Sequence, residues 1–279
     1  MTDKNKNLIL RVASAALLLP AALWVTWRGD VAFAVVCALA AVICAGEVIW
    51  MFERRLAALE LYGLAVAGLV PVVAWLAASG RAPLGGPVVL LAVAAAVLGL
   101  LALGLGRSGP LEPIPRTVSV VTLSWLYAGL LVAVVEVLRE RFGFGWVVLA
   151  FAVTWMNDTF AYFAGRAFGR HKLAERISPK KTWEGFAGGL LGSVGGAVLI
   201  SWWLVPELTP AAAVALGAGG AVLGPMGDLC ESMLKRAAGV KDSGKLIPGH
   251  GGLLDRIDAL LFVAPWVLAF ATFARLRGP

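Results

Sequence analysis

The chain has few charged residues and few cysteines for its length. Charged residues make up 15% of 279 positions, whereas hydrophobic residues make up 60%. Soluble domains average about 25% charged residues, so this composition excludes an ordinary water-soluble fold. Only three cysteines occur, and none forms a C-x-x-C pair. Cys37 and Cys44 are too far apart along one predicted helix for a disulfide, and neither structural zinc nor a thiol redox centre is expected.

Long apolar segments make up most of the chain. Windows of roughly 17–25 apolar residues are long enough to cross a bilayer, and nine of them predict an all-α polytopic membrane protein. The third window carries Glu60, and the sixth carries Asn157 and Asp158. No signal-peptide cleavage site follows the first window, so we expect a retained first helix. The windows lie at about residues 8–27, 31–51, 57–78, 84–106, 117–138, 144–165, 184–205, 211–230 and 257–274.

Lysine and arginine are distributed unevenly between the predicted loops. Most of the 24 lie on the side that holds the N-terminus and two long basic loops, 166–183 and 232–256. The positive-inside rule predicts that this side is cytoplasmic in a multi-pass protein of the inner (plasma) membrane. The net charge of +7 reflects either this orientation or neutralisation of a polyanionic substrate. Nucleic acid is not an expected partner, because no basic stripe with exposed aromatics occurs on a soluble domain.

The two halves of the chain differ in polar content. Residues 1–140 are mostly alanine, leucine and valine, and Glu47, Glu60 and Glu136 are predicted to be isolated carboxylates at helix ends or at the membrane interface. The polar motifs occur in residues 141–279. We therefore predict an N-terminal transmembrane domain followed by a C-terminal catalytic domain.

Asn157 and Asp158 form the first polar block, in the middle of an apolar window. Tyr162 lies four residues further on, so it shares a helix face with Asp158. One interpretation is a buried polar pair that holds two helices together. The other is an acceptor pair that helps to bind a cation or to orient a lysine.

The second block, 178–185, reads S-P-K-K-T-W-E-G. Pro179 is suited to the first turn of a helix, and the residues after it would then lie at a positive helix N-terminus that favours anions. The alternative is an ordinary basic loop with an interfacial tryptophan. Glycines continue to Gly196, and their spacing predicts close helix packing, within one protomer or in a homodimer. The predicted anion-binding residues are Ser178, Lys180, Lys181 and Thr182.

The third block, 228–258, reads as helix, loop, helix. Lys235 shares a face with two acids on the first helix, with an i,i+4 ion pair to Glu231, and Asp255 and Asp258 share the first turn of the last helix. The glycine-rich loop between them allows the backbone to approach a phosphate closely. Carboxylates in this arrangement favour Mg²⁺, and the basic residues would offset phosphate charge. For His250 the roles of ligand, acid–base group and backbone-orienting donor stay open.

At these residues the chain resembles the phosphatidate cytidylyltransferases. Two earlier blocks, Asn157-Asp158 and 178–185, and the segment 227–232 also resemble that family. The matching positions of the family signature are Ser232, Lys235, Arg236, Lys241, Asp242, Gly244, Ile247, Pro248, His250, Gly251, Gly252, Asp255, Arg256 and Asp258.

The resemblance implies that CTP and phosphatidic acid react at the bilayer to give CDP-diacylglycerol and pyrophosphate, with one or two Mg²⁺ ions. The implied metal ligands are Asp228, Glu231, Asp255 and Asp258. Catalytic roles are implied for Lys235, Arg236, Lys241, Asp242, His250 and Arg256. Substrate binding is expected at Ser178, Lys180, Lys181, Thr182, Ser232, Gly251 and Gly252, with support from Asn157 and Asp158.

Two other classes of function are compatible with parts of the pattern. A CTP-dependent polyprenol or phytol kinase would transfer the γ-phosphoryl group to an alcohol, although the complete signature argues against it. An ion-coupled transporter would use the intramembrane Asp158, but no internal repeat is visible. The D-G-x-x-A-R pattern of CDP-alcohol phosphotransferases is absent from the sequence.

Overall fold

The computed structural model describes residues 3–247, 249 and 251–276, and the side chains of those between 16 and 274. Within these residues each of the nine predicted windows coincides with one helix, so the all-α polytopic fold is confirmed. Eight of the helices are long and apolar enough to cross a membrane, and α1 contains a shorter apolar stretch, Ala16–Arg28. The helices are α1 (Asp3–Arg28), α2 (Asp30–Glu53), α3 (Ala58–Ala78), α4 (Gly86–Leu105), α5 (Ile114–Phe142), α6 (Phe144–Phe168), α7 (Trp183–Leu204), α8 (Pro210–Ala237) and α9 (Leu254–Leu276).

Helix α7 illustrates the match between chain and bilayer. Its first residue, Trp183, is exposed, and Trp202 and Trp203 are exposed near its other end. A rise of 1.5 Å per residue separates Trp183 from Trp202 by about 28 Å, close to the roughly 30 Å of a hydrocarbon core. Indole rings favour the two membrane interfaces, so tryptophan at both ends is typical of a spanning helix.

The helices form two compact units. The first contains Met1–Arg141 together with Asp242–Leu254, and the second contains Phe142–Lys241 together with Asp255–Pro279. The glycine-rich part of the signature therefore groups with the N-terminal helices. The residues before and after it in the chain group with α6, α7 and α8.

In the first unit, helix α5 contains a π-helical turn, Trp125–Leu130. This turn packs against α2 and α3. A Cβ added at Gly129 would lie 3.0 Å from both the Cα and the carbonyl oxygen of Ala67 in α3. The backbones of α3 and α5 therefore approach each other closely at this turn.

The end of α5 holds the end of α1. Arg139 donates from its guanidinium to the backbone carbonyls of Thr26 and Trp27. These carbonyls lie in the last turn of α1, where a cation offsets the negative end of the helix dipole.

Three carboxylates in this unit are more buried than the sequence analysis expected. Glu60 lies in the first turn of α3 and Glu47 near the end of α2, as predicted for helix-end acids. An exposed interfacial position is wrong for Glu47, Glu60 and Glu136, because all three are buried. Glu60 caps the N-terminus of its own helix by accepting a hydrogen bond from the backbone N–H of Ala57 at 3.1 Å. A buried carboxylate needs such donors, which the sequence of an apolar helix does not reveal.

In the second unit, the glycines of α7 pack against α6. A Cβ added at Gly188 would overlap Ala164, and one at Gly192 would overlap the backbone of Met156. Close packing of the glycine face is therefore confirmed, and it occurs within one protomer. The homodimer stays a prediction. The glycine face no longer supports it, because that face packs within one protomer.

A hairpin of two short strands, β1 (Lys172–Ala174) and β2 (Ser178–Thr182), connects α6 to α7. The expectation that Pro179 opens a helix is wrong, because Pro179 lies in β2. Helix α7 begins only at Trp183, after Thr182 caps it by accepting a hydrogen bond from the N–H of Gly185 at 3.1 Å.

Candidate functional site

A cavity of about 490 Å³ lies in the second unit, between α6, the hairpin, α7 and α8. Residues from all three polar blocks line it, although the blocks are far apart in sequence. The predicted site residues on its wall are Asn157, Asp158, Ser178, Lys180, Lys181, Thr182 and Asp228.

Lys181 and Asp228 form an ion pair at this cavity. The Nζ atom of Lys181 lies 2.8 Å from Oδ2 of Asp228. The hydroxyl of Ser232 donates to Oδ1 of the same carboxylate at 3.2 Å. Asp228 is thus oriented by one donor on each oxygen, one from the hairpin and one from its own helix.

Glu184 fixes the hairpin that carries Lys181. Its carboxylate accepts hydrogen bonds from the backbone N–H of Arg170 at 3.1 Å and of His171 at 3.3 Å. The Nδ1 atom of His171 lies 2.6 Å from Oε1 of Glu184. The sequence analysis gave Glu184 no role, because the segment it holds has no periodic pattern.

Lys235 is buried and bridges two acids. Its Nζ atom lies 2.7 Å from Oε2 of Glu231 and 2.6 Å from Oδ1 of Asp255. The ion pair predicted one turn apart on α8 is confirmed, and the second pair reaches the first turn of α9. Buried charges require paired partners, so these three side chains act as one group.

Two further aspartates add negative charge to this group. Asp258 is buried and lies within electrostatic range of Asp228 and Glu231. Asp158, on α6, is within range of Asp228 and Asp258 and also of the cations Lys181 and Arg256. Five carboxylates therefore share this part of the second unit with the basic groups of Lys181, Lys235 and Arg256.

The donor set fits a hard divalent cation. Carboxylate oxygens are the ligands that Mg²⁺ prefers, usually one or two of them together with water and substrate phosphates. In the part of the chain that the structure describes, no three Asp, Glu, His or Cys side chains converge as a closed metal cage. Mg²⁺ needs only one or two carboxylate ligands from the protein. Asp228 and Asp258, whose negative charges repel each other, match that number.

Other predicted site residues lie outside these ion pairs. Arg236 is exposed, and its guanidinium donates to the carbonyl of Val240 at 3.1 Å, just after the end of α8. Lys180, Lys241, Asp242 and Arg256 are also exposed. Their predicted catalytic and binding roles stay predictions.

Asn157 is almost fully buried, with 2% of its surface exposed. Neither polar atom of its side chain has a hydrogen-bond partner among the described residues. A Cβ added at Gly189 would lie 3.0 Å from its Oδ1 atom, so the amide faces α7. Its supporting role also stays a prediction.

The glycine-rich part of the signature forms a tight loop in the first unit. The N–H of Ile247 donates to the carbonyl of Gly251 at 2.9 Å. Gly249 and Gly251 have φ angles of +76° and +83°, a left-handed conformation that glycine adopts without strain. Pro248 and His250 lie outside the described residues, so the structure does not test the role of His250.

Glu47, near the end of α2, is a functional candidate that the sequence analysis missed. Its carboxylate accepts three hydrogen bonds from this loop and from the start of α9. An acid in an apolar helix is a functional-site hypothesis in itself. That signal was present, but its partners are some 200 positions away in the sequence.

Lysines paired with carboxylates on a cavity are the groups with which proteins position and neutralise phosphates. The fold and the site thus define a membrane-embedded transferase for phosphate-bearing substrates. Residues 9–274 match the cytidylyltransferase family. The chain therefore belongs to the cytidylyltransferase family, and it is a nucleotidyltransferase.

Relatives from distant organisms agree with this assignment. A phosphatidate cytidylyltransferase of Brucella suis biovar 1 (strain 1330) is 36% identical over 288 aligned positions, 98% of this chain and 97% of the relative. One from Thermotoga maritima is 39% identical over 169 positions, 58% of this chain and 62% of the relative. One from Synechocystis sp. is 49% identical over 123 positions, 44% of this chain and 42% of the relative.

Proposed function

We propose that the chain transfers the cytidylyl group of CTP to phosphatidic acid, which gives CDP-diacylglycerol and pyrophosphate. The observation that carries the proposal is the cavity at which Lys181 of the hairpin pairs with Asp228 of α8. Relatives that align with nearly the whole chain are named phosphatidate cytidylyltransferase, which supports the choice of lipid acceptor.

The cavity suits two substrates of opposite solubility. Tyr162 of α6 and Phe186 of α7 line it together with the lysines of the hairpin. Phe163 and Trp183 are exposed on the same two helices. The acyl chains of the lipid would remain in the bilayer against these aromatic residues, while the triphosphate enters from water beside the lysines.

In this reaction a phosphate oxygen of the lipid attacks the α-phosphorus of CTP, and the bond to the pyrophosphate leaving group breaks in line. The lipid phosphate is already ionised, so the site has to align the reactants and neutralise charge rather than remove a proton. Lys181 and the basic residues Lys235, Arg236 and Lys241 would offset the charge of the phosphates. Bound Mg²⁺ supplies charge neutralisation at the α-phosphate and the leaving group, and Asp228, Asp255 and Asp258 would hold it.

We place this site on the cytoplasmic face of the inner membrane. The hairpin and the loop after α8 are strongly basic, and short basic loops remain in the cytoplasm. CTP and pyrophosphate are cytoplasmic solutes, so this orientation gives the substrate CTP access to the site and lets the product pyrophosphate leave. Thiol labelling of a cysteine introduced in place of Arg176, in sealed inside-out vesicles, tests this orientation: the cysteine should react with a membrane-impermeant reagent, and protection from the reagent would contradict it.

The decisive experiment incubates the purified chain with CTP carrying labels in its α-phosphate and cytosine, with phosphatidic acid and with Mg²⁺. We expect a lipid that carries both labels, and one pyrophosphate released for each lipid formed. In a parallel incubation with a polyprenol in place of phosphatidic acid, release of CDP with formation of a phosphorylated alcohol would instead identify a lipid kinase. Absence of turnover with these substrates, in detergent that preserves the fold, would contradict the proposal. Removing Mg²⁺ with a chelator should abolish product formation, and adding it back should restore it.

A further inference from the structure

We infer that Glu47 is a positioning residue for the transfer reaction, although it lies in α2, far in sequence from every polar block. Its carboxylate joins Ser243 and Leu253, near the two ends of the glycine-rich loop, to Leu254 at the start of α9. The inference rests on the proposed function, because it concerns the same signature residues.

The hydrogen bonds of Glu47 use both of its carboxylate oxygens. Oε1 accepts from the backbone N–H of Leu253 at 2.9 Å, and Oε2 accepts from the N–H of Leu254 at 2.8 Å. Oε2 also accepts from the hydroxyl of Ser243 at 3.0 Å. The two ends of the loop are thus joined to one side chain.

The location of Glu47 makes these contacts strong. Only 8% of the residue is exposed, and hydrogen bonds to an ionised group are about twice as strong as neutral ones. Leu254 is the first residue of α9, so the carboxylate also faces the positive end of that helix. A buried charge with three donors cannot move without losing several of them at once.

The glycines of the loop fit around this carboxylate. A Cβ added at Gly244 would lie 2.7 Å from Oε1 of Glu47. One added at Gly252 would lie 2.5 Å from both oxygens. Glycine at these two positions is therefore explained by the approach of Glu47, and a nucleotide is not needed to account for it.

The connection to chemistry is the next residue of the chain. Asp255 follows Leu254 directly in the first turn of α9, and Asp258 lies one turn further on. Both are predicted to act on the substrates or the metal. Fixing the amides of Leu253 and Leu254 orders the backbone immediately before Asp255.

A matched control is available in the same unit. Glu60 is equally buried and also accepts a backbone N–H at the start of a helix, at Ala57. Within the part of the chain that the structure describes, Glu60 makes no hydrogen bond to the loop of residues 242–253. Glu60→Gln therefore measures the structural cost of neutralising a buried capping carboxylate, and Glu47→Gln measures that cost plus any positioning effect.

The test compares Glu47→Gln and Glu60→Gln in purified full-length protein. Initial rates give kcat and KM for CTP separately, thermal unfolding gives stability, and hydrogen exchange reports on residues 242–253. We expect Glu47→Gln to lower kcat about 10- to 100-fold, the usual cost of removing a residue that orients a metal-site group. Its loop should exchange faster, while Glu60→Gln retains wild-type kcat at a similar loss of stability.

A second variant guards against failure to fold. Ser243→Ala removes one of the three donors and leaves the carboxylate in place, so we expect a smaller fall in kcat in the same direction. Wild-type kcat in both Glu47→Gln and Ser243→Ala, or equal losses in Glu47→Gln and Glu60→Gln, would overturn the inference. If the wild-type chain itself forms no cytidylyl lipid, the proposed function fails instead, so the two failures are distinguishable.

Discussion

Lys181 and Asp228 are separated by 2.8 Å between Nζ and Oδ2, although one lies in a strand and the other in the middle of a long helix. Thr182 caps the helix that follows Lys181, and the carboxylate of Glu184 accepts hydrogen bonds from the backbone just before the hairpin. The position of this lysine is therefore set by backbone hydrogen bonds on both sides. A charged group that is already held in place can stabilise a transition state without reorganisation.

Replacing Lys181 by methionine should lower kcat/KM by about 100-fold, the order of effect seen when one fixed charge-stabilising donor is removed. The side-chain length is conserved, so folding should be retained. Arg176→Met removes an exposed positive charge from the same hairpin and serves as the control, with activity near that of the wild type. Similar losses in both variants would mean that the hairpin acts only through its overall charge.

Lys235→Met should destabilise the protein by about 3–5 kcal/mol, because it removes the cation that pairs with the buried carboxylates of Glu231 and Asp255. Chemical unfolding in detergent, followed by tryptophan fluorescence, measures the free energy of unfolding. Adding Glu231→Gln to this variant removes the buried negative charge of Glu231 and should recover part of the lost free energy of unfolding. A double variant no more stable than Lys235→Met would show that the three side chains do not form one electrostatic group.

The close approach of Glu47 to Gly244 predicts a specific coupling. Gly244→Ala alone should impair turnover, since the new methyl group meets the carboxylate. Glu47→Asp is also impaired but withdraws the carboxylate by one methylene group, which makes room for that methyl group. The double variant should therefore have a higher kcat than the product of the two single effects predicts. The coupling energy calculated from the kcat ratios should be about 1 kcal/mol or more. Strict additivity would contradict the observed packing.

The glycines of α7 predict opposite outcomes at two nearby positions. Gly192→Ala should destabilise the protein by about 1–3 kcal/mol, because the methyl group overlaps the backbone of Met156 in α6. At Gly195 no atom of the described residues lies within 4 Å of an added Cβ, so Gly195→Ala should stabilise the helix by up to about 1 kcal/mol. Thermal unfolding of the two variants checks the difference, and equal shifts would place the α6–α7 contact elsewhere.

The helices were predictable because long apolar windows have few structures available to them in a bilayer. The pairing of Glu231 with Lys235 was also predictable, since both lie one turn apart on one helix. The bonds from Lys235 to Asp255 and from Glu47 to Leu254 were not. They join residues far apart in sequence, and a lone acid in an apolar helix has no local pattern that identifies its partner.

Pro179 shows a different reason for failure. A proline after serine suits the first turn of a helix as well as the edge of a hairpin. The choice depends on the partner strand β1 and on Thr182, which caps α7 three residues later. Local propensity does not include these two contacts. Lys180 and Lys181 were therefore predicted correctly near the start of a helix, but they lie in a strand.

The π turn in α5 means that this helix contains one residue more than its span requires. Deleting a single residue between Trp125 and Leu130 should therefore convert this turn into regular α-helix. The residues up to Phe142 would then keep their orientation, and Arg139 would still reach the carbonyls of Thr26 and Trp27. A member of the family whose α5 is one residue shorter at this turn should therefore retain an arginine at the position of Arg139.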